Sequence, residues 1–226
     1  LGGAIVLDGV DDYVSVDNSS DINLATRAQR TISLWFNIDD TTISSRKQVI
    51  YEQGSRLRGL NIYVHDGMLQ VGGWNHLESQ WLGTYLATDA ITSGTWHHVA
   101  LVLDAEADSE TLQPSVFSAY LDGVEYGRGE GTQVWKHGGR IGIGAINGRT
   151  RFHDGAPDNS DRHAFAGQLA DVRLYNRALN AAELASQAGY TFDLNFVPDP
   201  GIRIESGTVP EAGIDPDTGT VHLYYR

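Results

Sequence analysis

The chain has 226 residues, 41% of them hydrophobic, with 29 acidic against 16 basic side chains and a net charge of −13. Such acidity repels phosphate backbones and argues against nucleic acid as a partner. The absence of cysteine excludes disulfides and thiolate metal sites, and no apolar run approaches the roughly 20 residues of a membrane-spanning helix.

The opening LGGAIVLDG lacks the basic start and long apolar run of a signal peptide, so a secreted origin would make this a processed piece. Glycine is frequent, at 26 residues, and most apolar runs are short with a period of two. LDGVDDYVSV, residues 7–16, sets Asp8, Asp11 and Asp12 just ahead of an alternating strand. In TISLWFNI, residues 31–38, Ile32, Leu34, Phe36 and Ile38 share one face, and Thr31, Ser33, Trp35 and Asn37 the other. GLNIYVHDGMLQVGGW, residues 59–74, predicts a hairpin turning at Asp66-Gly67, because both residues tolerate positive φ. TWHHVALVLD (95–104) is a strand. SAYLDGVEYG (118–127) is a second Asp-Gly hairpin. RIGIGAI (140–146) and AFAGQLADVRLYN (164–176) are further strands. Asn180-Ala181-Ala182-Glu183 reads as a capping box opening a short helix, and Gly189 as its stop. Four of the six prolines follow, at 198, 200, 210 and 216. The pattern predicts one domain over 1–190, then a tail over 191–226 that is a linker and the start of a following domain, or a strap on the first.

LDGVDDYVSV, TISLWFNI, GTWHHVALVLD, AYLDGVEYG and FAGQLADVRLYNRALNAAEL, in this order, resemble the laminin G-like (concanavalin A-like) jelly-roll domains of bacterial secreted proteins. The resemblance covers about residues 4–188. It implies an all-β fold: a two-sheet antiparallel jelly-roll sandwich with one short C-terminal helix, its first strand beside the late strand holding Asp171. It also implies a calcium ion, held by Asp11 or Asp12 together with Asp171 and backbone carbonyls. Clustered aspartates suit calcium, which takes six to eight hard oxygens at about 2.3–2.6 Å. Asp8 and Asp11 equally suit plain turns, accepting from amides two residues on.

Catalysis has little support. The same fold hosts glycosidases that carry E-x-D-x-E on a strand, and Glu106-Ala-Asp108-Ser-Glu110 has that spacing. It sits in a polar connection between strands, which reads as a solvated acidic loop. His97 and His98, adjacent in a strand, point to opposite faces and cannot share a metal. No catalytic residue is therefore assigned. Binding chemistry concentrates in two insertions. In WNHLESQWLGTY, Trp74, His76, Trp81 and Tyr85 can offer flat faces to a sugar, and Asn75, Glu78 and Gln80 hydrogen bonds, although Trp74 and Trp81 equally suit closing an edge of the sandwich. In RFHDGAPDNSDRHAF, His153, Asp154, Asp158 and Asp161 suit a cation or a sugar, with Trp135 and His137 expected nearby. The resulting expectation is a non-catalytic, calcium-stabilised carbohydrate-binding or adhesion module of an extracellular or cell-surface protein. Its partners would be a glycan or polysaccharide and other domains of the same polypeptide. The alternative is a protein-interaction or adhesion spacer, and a glycoside hydrolase or lyase ranks third.

Overall fold

The computed structural model describes residues 3–76, 81–155, 162–189, 211–214 and 220–224, the last two as backbone strands. The strands in chain order are β1 (Ile5–Asp8), β2 (Val14–Val16), β3 (Gln29–Ile38), β4 (Gln48–Gly54), β5 (Arg58–His65), β6 (Met68–Asn75) and β7 (Trp81–Thr88). They continue as β8 (Trp96–Asp104), β9 (Gln113–Leu121), β10 (Val124–Gly131), β11 (Ile141–Ile143) and β12 (Ala166–Tyr175). Helix α1 (Ala181–Ala188) follows, then β13 (Glu211–Ile214) and β14 (Thr220–Tyr224). An eight-stranded antiparallel sheet runs β10-β9-β8-β3-β12-β14-β13, with β1 also on β12. A six-stranded sheet runs β2-β11-β4-β5-β6-β7. Together they form the expected jelly-roll sandwich.

The period of two explains the core. Ile32, Leu34, Phe36 and Ile38 of β3 are all fully buried and pack with Ile50, Leu60, Ile62 and Val71 of the other sheet. Each such side chain contributes on the order of 1.5–3 kcal/mol by leaving water. Thr31 and Ser33, on the opposite face of β3, are buried as well, because the chain after β12 folds back over them, and Trp35 on that face is buried edge-on to His98. Thr31 Oγ donates to the Arg177 carbonyl (2.9 Å) and accepts from the Leu179 amide (2.9 Å), and Ser33 Oγ donates to Gln187 (2.9 Å). Leu184 of α1 closes a second apolar cluster with Val102, Tyr120 and Tyr175. The helix starts as its capping box predicts: Asn180 accepts from the Glu183 amide and Glu183 from the Asn180 amide.

Both Asp-Gly turns adopt the paired positive φ that hairpins favour: 50° and 78° at Asp66 and Gly67, 50° and 80° at Asp122 and Gly123. One edge of β12 is shared. β1 pairs with Ala166–Leu169, and β14 pairs with Arg173–Tyr175. The predicted boundary near residue 190 lies outside the described residues.

Candidate functional site

The first turn gathers acids. Asp8 Oδ1 accepts from the Val10 amide (2.8 Å) and the Asp11 amide (3.4 Å), as a turn former does. Asp12 Oδ2 accepts from the Asp8 amide (3.3 Å). Asp8, Asp11 and Asp12 each present an oxygen within 4.8 Å of the others. Asp8 and Asp12 each keep a second oxygen outside these turn bonds. This all-oxygen set fits a hard cation such as calcium in donor type. Asp171, the expected third partner, is not brought to the turn. Asp8 faces Ala166 in the β1–β12 register, so Asp171 lies five residues farther along, on the order of 16 Å at the rise of a strand. Its carboxylate pairs instead with Arg173 (2.7 Å). The predicted clasp across the two ends of the domain is therefore corrected to a local turn in which Asp8 joins Asp11 and Asp12.

Of the two readings of Trp74 and Trp81, the structure supports closure of the sandwich and not an aromatic platform. Trp74 and Trp81 are 0% and 1% exposed and belong to the interior. The Trp74 indole donates to the Ser55 carbonyl (3.0 Å), and Trp81 packs edge-on against Phe117 with its N–H on Thr84. Asn75 is fully buried, its amide donating to the Gln133 carbonyl (3.0 Å). His76 stays half-buried at one rim, where its ring nitrogen meets the Leu82 carbonyl (2.9 Å) and its amide the Leu57 carbonyl (2.7 Å). At the end of β4 the His137 ring meets the Gln53 side chain (3.5 Å) and the Trp135 carbonyl (2.9 Å). Glu78, Gln80, Asp158 and Asp161 lie outside the described residues. Glu106 and Glu110 are exposed in the β8–β9 connection, as a solvated loop requires.

The polar chemistry concentrates on the outer face of the six-stranded sheet. In register across it lie Ser15, Gly142, Glu52, Asn61, Gly72 and Tyr85. The segment after β11 crosses this row and is clamped at successive points. The Asn147 and Gly148 amides donate to Glu52 Oε1 (2.8 and 3.1 Å). Asn61 Nδ2 donates to Thr150 Oγ (3.0 Å) and to the Arg151 carbonyl (2.8 Å), which also accepts from the Tyr85 hydroxyl (3.1 Å). The Tyr63 oxygen accepts from the His153 amide (3.0 Å) and meets His153 Nδ1 (2.8 Å). Lys47 pairs with Asp154 (2.5 Å). Gly72 leaves the space that Tyr85 fills: a β-carbon there would come within 2.6 Å of its ring.

Two features of this face were not read from the sequence. Glu52 is fully buried, burial pushes its carboxyl up to about 8, and Oε2 has no partner. The segment also alternates in burial: Thr150 and Phe152 are 1% exposed, whereas Arg149, Arg151 and His153 lie on the outward side. Beside them the sheet offers the partly exposed ring of Tyr85, while Gln70, between Tyr63 and Ala87 in register, is buried. Burial lowers His153 below the usual imidazole range; Asp154 opposes the shift, and Lys47 and His65 reinforce it. The result is a shelf with an aromatic face, an imidazole and guanidinium groups, which together can stack on and hydrogen-bond a sugar ring.

A family model described as the concanavalin A-like lectin/glucanases superfamily matches residues 8–185. A search of curated proteins finds no match. Among solved structures, the SAP-like pentraxin of Limulus polyphemus is similar at 18% identity and a TM-score of 0.54, over 82% of this chain and 81% of that one. Domain 4 of AbnA, an extracellular arabinanase of Geobacillus stearothermophilus solved with arabinotriose, is similar at 16% identity and a TM-score of 0.56, over 82% and 76%. Domains LG4-5 of the mouse laminin alpha1 chain are similar at 16% identity and a TM-score of 0.53, over 79% and 44%. At such identities the likeness is one of fold alone.

Proposed function

Because this chain belongs to the concanavalin A-like lectin/glucanases superfamily, we propose that it is a non-catalytic carbohydrate-binding or adhesion module of an extracellular protein. The observation that carries this reading is the shelf on the six-stranded sheet, where Arg151 and His153 face outward from a clamped segment beside the partly exposed ring of Tyr85. A solved relative of the fold was crystallised with arabinotriose, which agrees with a sugar at such a module. The absence of catalysis is supported by the E-x-D-x-E spacing lying in an exposed connection rather than on a sheet face. Calcium belongs to the same proposal. Asp8, Asp11 and Asp12 would hold it at the entry to the sandwich, stabilising the first turn and taking no part in sugar contact.

A glycan array probed with the purified chain, in calcium and in EDTA, tests both parts. We expect glycan hits that Tyr85→Ala removes. We also expect EDTA to lower the melting temperature, a bound ion at a hundred times its Kd being worth about 2.7 kcal/mol. An array without hits overturns the glycan reading; a melting temperature indifferent to EDTA overturns the calcium one.

A second reading, a polypeptide-binding spacer, draws on Leu57 and Leu82. They are 43% and 69% exposed and lie on either side of His76 at one rim. Loss of an interdomain or protein contact on Leu82→Asp, with glycan binding unaffected, would favour it.

A further inference from the structure

We propose that the sugar taken by this shelf is anionic, its carboxylate or sulfate held by Arg151 and Arg149; this rests on the carbohydrate-binding reading above. The backbone of Arg151 is fixed from below, since its carbonyl accepts from both Asn61 Nδ2 and the Tyr85 hydroxyl. Burial raises the Tyr85 hydroxyl above its ordinary value, and the charge of Arg151 acts against that rise. Asp154, the nearby carboxylate, is taken by Lys47 at 2.5 Å. Among the described residues, neither Arg149 nor Arg151 has an ion pair or a side-chain hydrogen bond. Two unpaired guanidinium groups within three residues are unusual in a chain with 29 acidic and 16 basic side chains.

Burial alternates along this segment, so Arg149, Arg151 and His153 form one outward stripe while Thr150 and Phe152 hold it to the sheet. A guanidinium fork matches carboxylate or sulfate oxygens two at a time, which an ammonium cannot do. The net charge of −13 sharpens the argument. A polyanion is repelled by the surface as a whole, so its retention requires a local cationic site.

Affinity gel electrophoresis tests this, with polygalacturonate as the carboxylate arm, dextran sulfate as the sulfate arm and dextran as the neutral control. The expected result is retardation by one or both polyanions and not by dextran, weakened by salt. Arg149→Gln/Arg151→Gln should weaken it roughly tenfold or more, and Arg151→Lys should fall between the two. Matching melting curves establish that the variants are folded. Retardation by one polyanion alone supports the proposal and names the acid. Polyanion binding unchanged in the double variant, or glycan-array hits confined to neutral sugars, overturns the anionic assignment and leaves the carbohydrate reading standing. An array with no hits removes that broader reading instead.

Discussion

Glu52 is a carboxyl group that water does not reach. One oxygen holds the amides of Asn147 and Gly148, the other has no partner, and burial moves its proton affinity from the ordinary 4.5 up to about 8. A neutral acid suits this position, because an unpaired buried charge is far more costly than an unpaired hydroxyl. The consequence for stability has a definite sign. Below pH 4.5 the group is protonated in both states and contributes no pH dependence. Between 4.5 and 8 the unfolded chain releases the proton while the folded chain keeps it, so stability falls as pH rises. A full pH unit in that window is worth up to about 1.4 kcal/mol. Glu52→Gln keeps an oxygen for the two amides and cannot ionise. The difference in melting temperature between variant and parent should therefore shift steadily in favour of the variant from pH 5 to pH 8 and then level off. Parallel melting curves across that range would show that Glu52 is not held neutral by the fold.

The segment after β11 and the sheet beneath it act as one element, and Gly72 is where they meet. Its missing side chain lets the Tyr85 ring lie over the strand, within reach of the Arg151 carbonyl. Gly72→Val would drive a branched side chain into that ring and into Asn61, displacing both donors from Arg151. Overpacking of this kind typically costs about 1–3 kcal/mol. We expect a lower melting temperature together with weaker glycan binding; binding at parental strength would mean that Tyr85 does not shape the site. The same element shows where sequence reading stops. The hairpins at Asp66-Gly67 and Asp122-Gly123 were legible because a turn needs only local backbone freedom. The core face of β3 was legible from its period of two. Trp74 and Trp81 read equally as binding or edge-closing residues because their burial depends on distant partners: Ser55 for one, Phe117 for the other. The clamp was illegible for the same reason. Glu52 and Asn147 are 95 residues apart, and Asn61 and Arg151 are 90, and no spacing rule links them. His153 stands out in the sequence as part of a polar loop, whereas only the alternating burial places Arg149 on the outward side.

The two ends of the chain converge on β12, and this bears on where the domain stops. β1 covers the first part of the β12 edge, and β14 pairs with Arg173–Tyr175 beyond it. On this side of the sandwich an apolar cleft between the sheets is lined by Val16, Ile141 and Ile143 from one sheet and by Val172 and Leu174 from the other. The family match over residues 8–185 runs from the end of β1 into α1 and contains all of the main core except Leu7, which a chain ending at Gly189 keeps, so that chain should still fold cooperatively. It would lose the β14 ladder and leave the backbone of Arg173–Tyr175 as an open strand edge, a template for pairing with another copy. Losing one or two net hydrogen bonds costs about 1–2 kcal/mol, and each kcal/mol lowers the melting temperature of a domain this size by about 2–4 °C. Calorimetry and sedimentation of the truncated chain against the full one measure both effects. A melting temperature a few degrees lower with concentration-dependent self-association would make residues 211–224 a strap of this fold. Identical melting temperatures and a monomeric truncated chain would assign that hairpin to a separate unit that contributes nothing to the sandwich.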